Sequence, residues 1–84
     1  AYRAVVAVQH KPNVLHPESR TVLAALHSLG HGAVQTLEAG RRFELTLKAQ
    51  GSADAERQVL AMADELLANP VIEAYWLERL EPMS

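Results

Sequence analysis

The chain has 84 residues, of which 49% are hydrophobic and 21% charged, and its formal net charge is -2. This balance, with lysines and arginines scattered along the chain, argues against nucleic acid or an anionic membrane as a partner. The absence of cysteine excludes disulfides, thiolate metal sites and thiol catalysis. We expect residues 1–84 to form one small domain that gains stability by self-association. We also expect a cytoplasmic protein, because the sequence shows no signal peptide and no apolar run near the roughly 20 residues of a membrane helix.

The first part of the chain predicts a strand and a helix. Residues 2–9 are small and β-branched apolar residues, which is typical of a buried strand. Pro17 followed by Glu18 favours the start of a helix, and Gly30 favours its end. The helix carries one apolar stripe, formed by Val22, Ala25, Leu26 and Leu29.

The middle of the chain predicts a hairpin. Residues 33–38 and 42–49 are strand candidates, and the glycine-containing link 39–41 suits a tight turn between them. The second candidate alternates cleanly between apolar and polar residues, which predicts one buried and one partly polar sheet face.

A second helix and a last strand follow. The helix carries an apolar stripe formed by Ala55, Val59, Met62, Ala63, Leu66 and Leu67. Asn69 and Pro70 end it, because proline cannot continue a helix and restricts the residue before it. Residues 71–80 then predict a terminal strand, rich in β-branched and aromatic residues.

The order βαββαβ predicts an α+β domain of the split β-α-β, ferredoxin-like class, with a four-stranded antiparallel sheet and two helices on one face. The last strand would be an edge strand, and unpaired edges invite partners. Tyr75 and Trp76 point to opposite faces of this strand, so we expect one in the core and the other on the uncovered face, where it can join an interface.

The sequence gives no catalytic constellation. His27 and His31 are four residues apart, but Gly30 is expected to end the helix between them, and no acidic residue lies near them to complete a site, so we assign no metal. No nucleophile motif and no glycine-rich phosphate loop is present. We therefore assign no catalytic residue.

Basic residues at two turns are candidates for a partner interface. Arg41 and Arg42 follow the hairpin glycine and can clamp a carboxylate or a phosphate, although charged hairpin tips also serve solubility alone. Lys11 and Asn13, after the first strand, present the same two alternatives.

Several segments resemble the PurS family, the small subunit of phosphoribosylformylglycinamidine synthase. The most specific is Leu-Leu-Ala-Asn-Pro-Val-Ile-Glu-Ala-Tyr at residues 66–75, supported by Val-Leu-His-Pro at residues 14–17. The match covers nearly the whole chain. It departs from the family at His16, where aspartate is usual, and at Arg41, where lysine is usual. The loss of the aspartate weakens the expected cap of the first helix.

The resemblance implies a subunit without an active site or cofactor of its own. In this family a glutaminase subunit releases ammonia, and a large synthetase subunit uses it with ATP and magnesium to make the amidine in purine biosynthesis. The small subunit bridges the two and forms dimers or tetramers. The last strand, with Glu73, Tyr75 and Trp76, and the basic turns are the partner-interface candidates.

Two other functions stay open. A ligand-sensing or oligomerisation module of the same fold would bind a small effector between protomers. An acylphosphatase-like enzyme would need a phosphate-binding loop after the first strand, and residues 10–13, His-Lys-Pro-Asn, hold neither the glycines nor the arginine for one.

Overall fold

The computed structural model describes residues 1–11 and 16–83. The elements in chain order are β1 (Tyr2–His10), α1 (Pro17–Ser28), β2 (Gly40–Leu47), α2 (Ser52–Met62), a π-helical turn (Ala63–Leu67) and β3 (Glu73–Pro82). No helix in these ranges is both long and apolar enough to cross a membrane.

β1 is the centre of a three-stranded antiparallel sheet with the order β2-β1-β3. β1 is the most apolar of the three strands, and an apolar run is favoured in the central position because a strand lies on each side of it. Val6 pairs with Phe43 on β2 and with Leu77 on β3. The register against β3 shifts between Val5 and Val6, so β3 carries a bulge there.

The predicted four-stranded, ferredoxin-like sheet is wrong, because residues 33–39 form no strand. The physical reason lies at Gly40. The sequence predicts this residue in a hairpin turn, but it pairs with Gln9 of β1 as the first residue of β2. Because Gly40 is already part of β2, it cannot form the turn of a hairpin between β2 and a strand at residues 33–38.

The core lies between one face of the sheet and α2. Val59 and Ala63 are fully buried there against buried residues of β1, and half-buried residues of β2 and β3 surround them. The buried residues are small, namely Ala4, Val6, Val8, Val59, Ala63 and Ala68. Such a core contributes less per residue than one built from leucine or phenylalanine.

The π-helical turn changes which residues of the second helix reach the core. A π turn holds more residues than an α turn, so it rotates the following side chains around the axis. Ala63 and Ala68, five residues apart, are both buried, and Leu67 is half-buried. Leu66, which the helical stripe predicts to be buried, is 83% exposed.

Helix α1 buries little of its predicted apolar stripe. Val22 is 39% exposed and Leu29 is 76% exposed, and Ser19 is the buried residue of the helix. The helix ends as predicted at Gly30, whose φ of 98° allows the His31 N–H to donate to the Leu26 carbonyl. The apolar side of α1 is thus available to a partner.

Candidate partner interface

A cavity of about 280 Å³ opens at the end of the sheet where β1 finishes and β3 begins. It is lined by His10, His16, Glu18, Gly40, Arg41, Ile72 and Glu73. Two of the predicted interface residues, Arg41 and Glu73, therefore lie together. The two histidines were not singled out as site residues by the sequence, because nothing in their spacing indicates that they meet.

Arg41 and Glu73 form an ion pair across the central strand. Arg41 Nη2 donates to both carboxylate oxygens of Glu73, each at 2.8 Å, and to the Leu67 carbonyl at 3.3 Å. The Glu73 side chain is only 9% exposed, whereas that of Arg41 is 55% exposed. The pair fastens β2 to the start of β3 through Nη2, while the guanidinium carbon lies 5.8 Å from the centre of the Phe43 ring.

Glu73 is held in its charged form by two partners. The Asn69 N–H donates to Glu73 Oε1 at 2.7 Å. This bond, with the Arg41 guanidinium, holds the pKa of Glu73 below its usual value of 4.5, although burial acts in the opposite direction. A buried carboxylate with both partners in place is a structural anchor at neutral pH.

Asn69 organises the turn between the second helix and β3. Its side-chain Oδ1 accepts from the Val71 N–H at 3.1 Å, and its carbonyl accepts from the N–H groups of Ile72 and Glu73. The sequence predicts Asn69 and Pro70 to end the helix, and the structure confirms this. The turn leaves Val71 78% exposed.

Tyr75 and Trp76 divide between the two faces of the sheet, as predicted. Tyr75 packs against the core, and its hydroxyl donates to Asp64 Oδ1 at 3.3 Å. Burial and the Asp64 carboxylate raise the pKa of Tyr75. Trp76 pairs with Ala7 on the face opposite α2 and is 43% exposed. Trp76 is therefore the aromatic residue of this strand that a partner could cover.

The face that carries Trp76 is lined by alternating charges. Arg3 contacts Glu44, and Arg42 Nη1 lies 3.5 Å from Glu44 Oε2. Arg79 Nη1 lies 3.9 Å from Glu81 Oε1. The alternation of β2 predicted this polar face, but not the cross-strand contact between Arg3 and Glu44.

The remaining predicted residues do not join one site. Arg42 is exposed on the charged face, away from Arg41. Lys11 is exposed beside the end of β1, where its N–H donates to the Ile72 carbonyl. Asn13 lies outside the described residues. Their role at a partner interface stays a prediction.

Metal-ligating side chains do not come together within residues 1–11 and 16–83. No group of three or more His, Asp or Glu side chains there is arranged to hold a metal ion. His27 Nε2 donates to the Val34 carbonyl at 2.7 Å, and α1 ends before His31. The site is therefore best described by surfaces and ion pairs.

Comparison with known proteins supports this description. The family model for PurS, phosphoribosylformylglycinamidine (FGAM) synthase, matches residues 3–81. The PurS subunit of this synthase from Synechocystis sp. is 40% identical over 78 residues, which are 93% of this chain and 78% of the relative.

Solved structures show the same fold over the full length. The crystal structure of Methanocaldococcus jannaschii PurS, a subunit of formylglycinamide ribonucleotide amidotransferase in the purine biosynthetic pathway, has a TM-score of 0.87 at 31% identity, with 100% of both chains covered. A chain in the structure of PurLQS from Thermotoga maritima has a TM-score of 0.82 at 27% identity, covering 98% of this chain and 96% of that one. The resemblance found in the sequence is confirmed, and this chain belongs to the PurS family of phosphoribosylformylglycinamidine synthase subunits.

Proposed function

We propose that this chain is the non-catalytic small subunit of a phosphoribosylformylglycinamidine synthase complex in purine biosynthesis. It would bridge the glutaminase subunit and the large synthetase subunit so that ammonia passes between them, and ATP and magnesium would be used by the synthetase subunit. The family match over residues 3–81 carries the proposal, and the likeness to a chain of the Thermotoga maritima PurLQS structure supports it.

The surface of the chain suits a subunit with several partners. In the described part, the apolar side of α1 is uncovered, with Leu29 76% exposed. A second apolar patch lies on both sides of the Asn69 turn, where Leu66 is 83% and Val71 is 78% exposed. Exposed apolar groups at separate places support contacts with more than one neighbour.

Self-association is the part of this proposal that the isolated chain can test. The outer edges of β2 and β3 have no neighbour within the sheet, and the core contains only small buried residues. We expect a dimer or a tetramer in sedimentation at tens of micromolar, an order-of-magnitude choice for a micromolar affinity. A clean monomer at that concentration contradicts this part.

The bridging role is tested by reconstitution. The two larger subunits are assayed with and without this chain, once with glutamine and once with added ammonium as the nitrogen source. Glutamine-dependent turnover should need the small subunit, because ammonia must travel between two active sites. Ammonium-dependent turnover should need it much less, since the synthetase then takes ammonia from solution. Full glutamine-dependent turnover without the small subunit would refute the bridging role.

Arg42 offers a sharper test of one contact. Arg41 is bound to the buried Glu73 side chain at 2.8 Å. Arg42 is 56% exposed, and its contact with Glu44, at 3.5 Å, is longer and lies in solvent. We expect Arg42→Ala to weaken assembly with the larger subunits and to lower its salt dependence. Lys48→Ala is the matched control, because Lys48 is also an exposed cation beside β2. If the two variants assemble with the larger subunits equally well and with the same salt dependence, Arg42 makes no specific contact and serves solubility only.

A ligand-sensing role is a second candidate, favoured by the cavity of about 280 Å³. A ligand that binds the folded chain raises its melting temperature. Thermal unfolding with formylglycinamide ribonucleotide, ATP or glutamine in large excess tests this candidate. An unchanged melting temperature with all three removes those ligands.

A further inference from the structure

Two histidine rings stack where the sheet ends and α1 begins. The ring centroids of His10 and His16 are 3.9 Å apart, and the ring planes are inclined by 14°. His10 is the last residue of β1, and His16 immediately precedes α1. Both rings line the cavity, so protons from solvent can reach them without unfolding. The stack joins the sheet to the helix.

Few other contacts hold α1 in the described part of the chain. Ser19 Oγ accepts from the Ala39 N–H at 2.8 Å, and His27 donates to the Val34 carbonyl just beyond the helix. Leu23 and Leu26 of α1 are only half-buried and Val22 is exposed, so no large apolar side chain of the helix is fully buried. An element with few buried contacts depends strongly on the polar contacts at its ends.

The charges around the two rings come from every neighbouring element. Glu18 Oε2 of α1 lies 3.8 Å from His16 Nε2. Arg41 of β2 and Glu73 of β3 line the same cavity as an ion pair, and Lys11 follows His10 directly. Two charged rings would therefore stand 3.9 Å apart, and Glu73, the carboxylate opposite His10 in the sheet, is already paired with Arg41 and the Asn69 N–H.

We propose that the His10–His16 stack is a pH-sensitive latch for α1. It holds the start of the helix against the end of the sheet while at most one ring is charged, and it opens when both rings are protonated, because two imidazolium groups at stacking distance repel each other.

The direction of the pH response follows from histidine chemistry. An imidazole ring is charged in acid and neutral in base, so both rings are charged together only in acid. The latch is therefore closed in neutral or basic solution and opens in acid. The contact between His16 Nδ1 and Ser19 Oγ, at 2.8 Å, survives either state, because the hydroxyl can donate to a neutral ring or accept from a charged one.

Distances between two spin labels test the latch. The chain has no cysteine, so Ser28→Cys at the end of α1 and Lys48→Cys beside β2 give a single labelled pair. The doubly labelled chain is diluted with unlabelled chain, so that only distances within one chain contribute. We expect a narrow distribution at about pH 7.5 and one at least about twofold broader at about pH 5. An unchanged distribution overturns the proposal.

Two variants separate the latch from general acid effects. His10→Phe keeps a ring that stacks on His16 but cannot be charged, so its distribution should stay narrow at both pH values. His31→Asn is the matched control, because His31 is exposed beyond the end of α1, and this variant should broaden in acid like the parent. Broadening of His10→Phe to the same extent as the parent overturns the proposal.

A titration of the parent chain by NMR gives a measurement that needs no variant. We expect the ring signals of His10 and His16 to change together, because each ring responds to the charge on the other. Independent single-step titration of the two rings also overturns the proposal.

Discussion

Replacing Arg41 by alanine should destabilise the fold measurably, whereas replacing its neighbour Arg42 should not. Arg41 Nη2 donates to both oxygens of a Glu73 side chain that is only 9% exposed. Removing one partner of a fully buried pair costs about 3–5 kcal/mol, and removing one of an exposed pair costs about 1 kcal/mol or less. Because Arg41 is itself 55% exposed, water can replace part of its contact. We therefore expect Arg41→Ala to lower the free energy of unfolding by about 1–2 kcal/mol.

The measurement is unfolding in urea, followed by circular dichroism at fixed protein concentration because the chain is expected to self-associate. Arg42→Ala is the control, since Arg42 makes only an exposed contact with Glu44, and it should cost about 0.5 kcal/mol or less. In a Glu73→Gln background, Arg41→Ala should lose most of its effect, because the buried charge that Arg41 neutralises is gone. Equal costs for the two arginines, or an undiminished cost in that background, would refute the reasoning.

The same pair gives a pH dependence with a defined sign. The pKa of Glu73 is lowered from 4.5, mainly by the Asn69 N–H and with help from Arg41. A carboxyl whose folded pKa is lowered contributes stability that is present above its unfolded pKa and is lost as the pH falls through its folded value. The difference in stability between the parent and Arg41→Ala should therefore be largest near neutrality and shrink below about pH 4.

Two other substitutions test the positions that define the sheet. Gly40→Ala should lower the free energy of unfolding by about 1–3 kcal/mol, because an added Cβ would overlap the Val8 carbonyl oxygen. Gly32→Ala is the control and should cost about 0.5 kcal/mol or less, because the space around Gly32 is open. Equal costs in thermal or urea unfolding would contradict the close approach at Gly40. Ser19→Ala should cost about 1–2 kcal/mol, because it removes the acceptor of the Ala39 N–H; an unchanged melting temperature would show that water replaces that bond.

Much of the architecture was predictable because it rests on local patterns. The apolar run of β1, the proline at the start of α1 and the glycine at its end each act within a few residues, and the structure confirms both elements. The buried side of α2 follows the helical stripe as far as Ala63. Beyond it, the π-helical turn rotates the chain and leaves Leu66 in solvent, and a stripe counted at α-helical spacing cannot anticipate that rotation.

The missing strand and the site depend on contacts between distant residues, which is why the sequence could not predict them. Residues 33–38 are apolar enough to form a strand, but Gly40 pairs with Gln9 of β1 and therefore does not form the hairpin turn that this strand would need. Only the register of the sheet reveals that pairing. Arg41 and Glu73 are 32 residues apart in sequence, and they meet because β1 places their two strands on either side of it. Strand alternation gives the face of each side chain, but not its partner.

The segment 66–75, which carries most of the resemblance to the PurS family, combines two kinds of residue. Asn69 and Glu73 are explained by the fold of the single chain, because they build the turn and hold Arg41. Leu66 and Val71 are not, since both are largely exposed and their burial would favour association by about 1.5–3 kcal/mol for each side chain fully covered. The internal anchor therefore sets the geometry of this turn, and the apolar groups on both sides of it are those that would gain most from being covered by a partner.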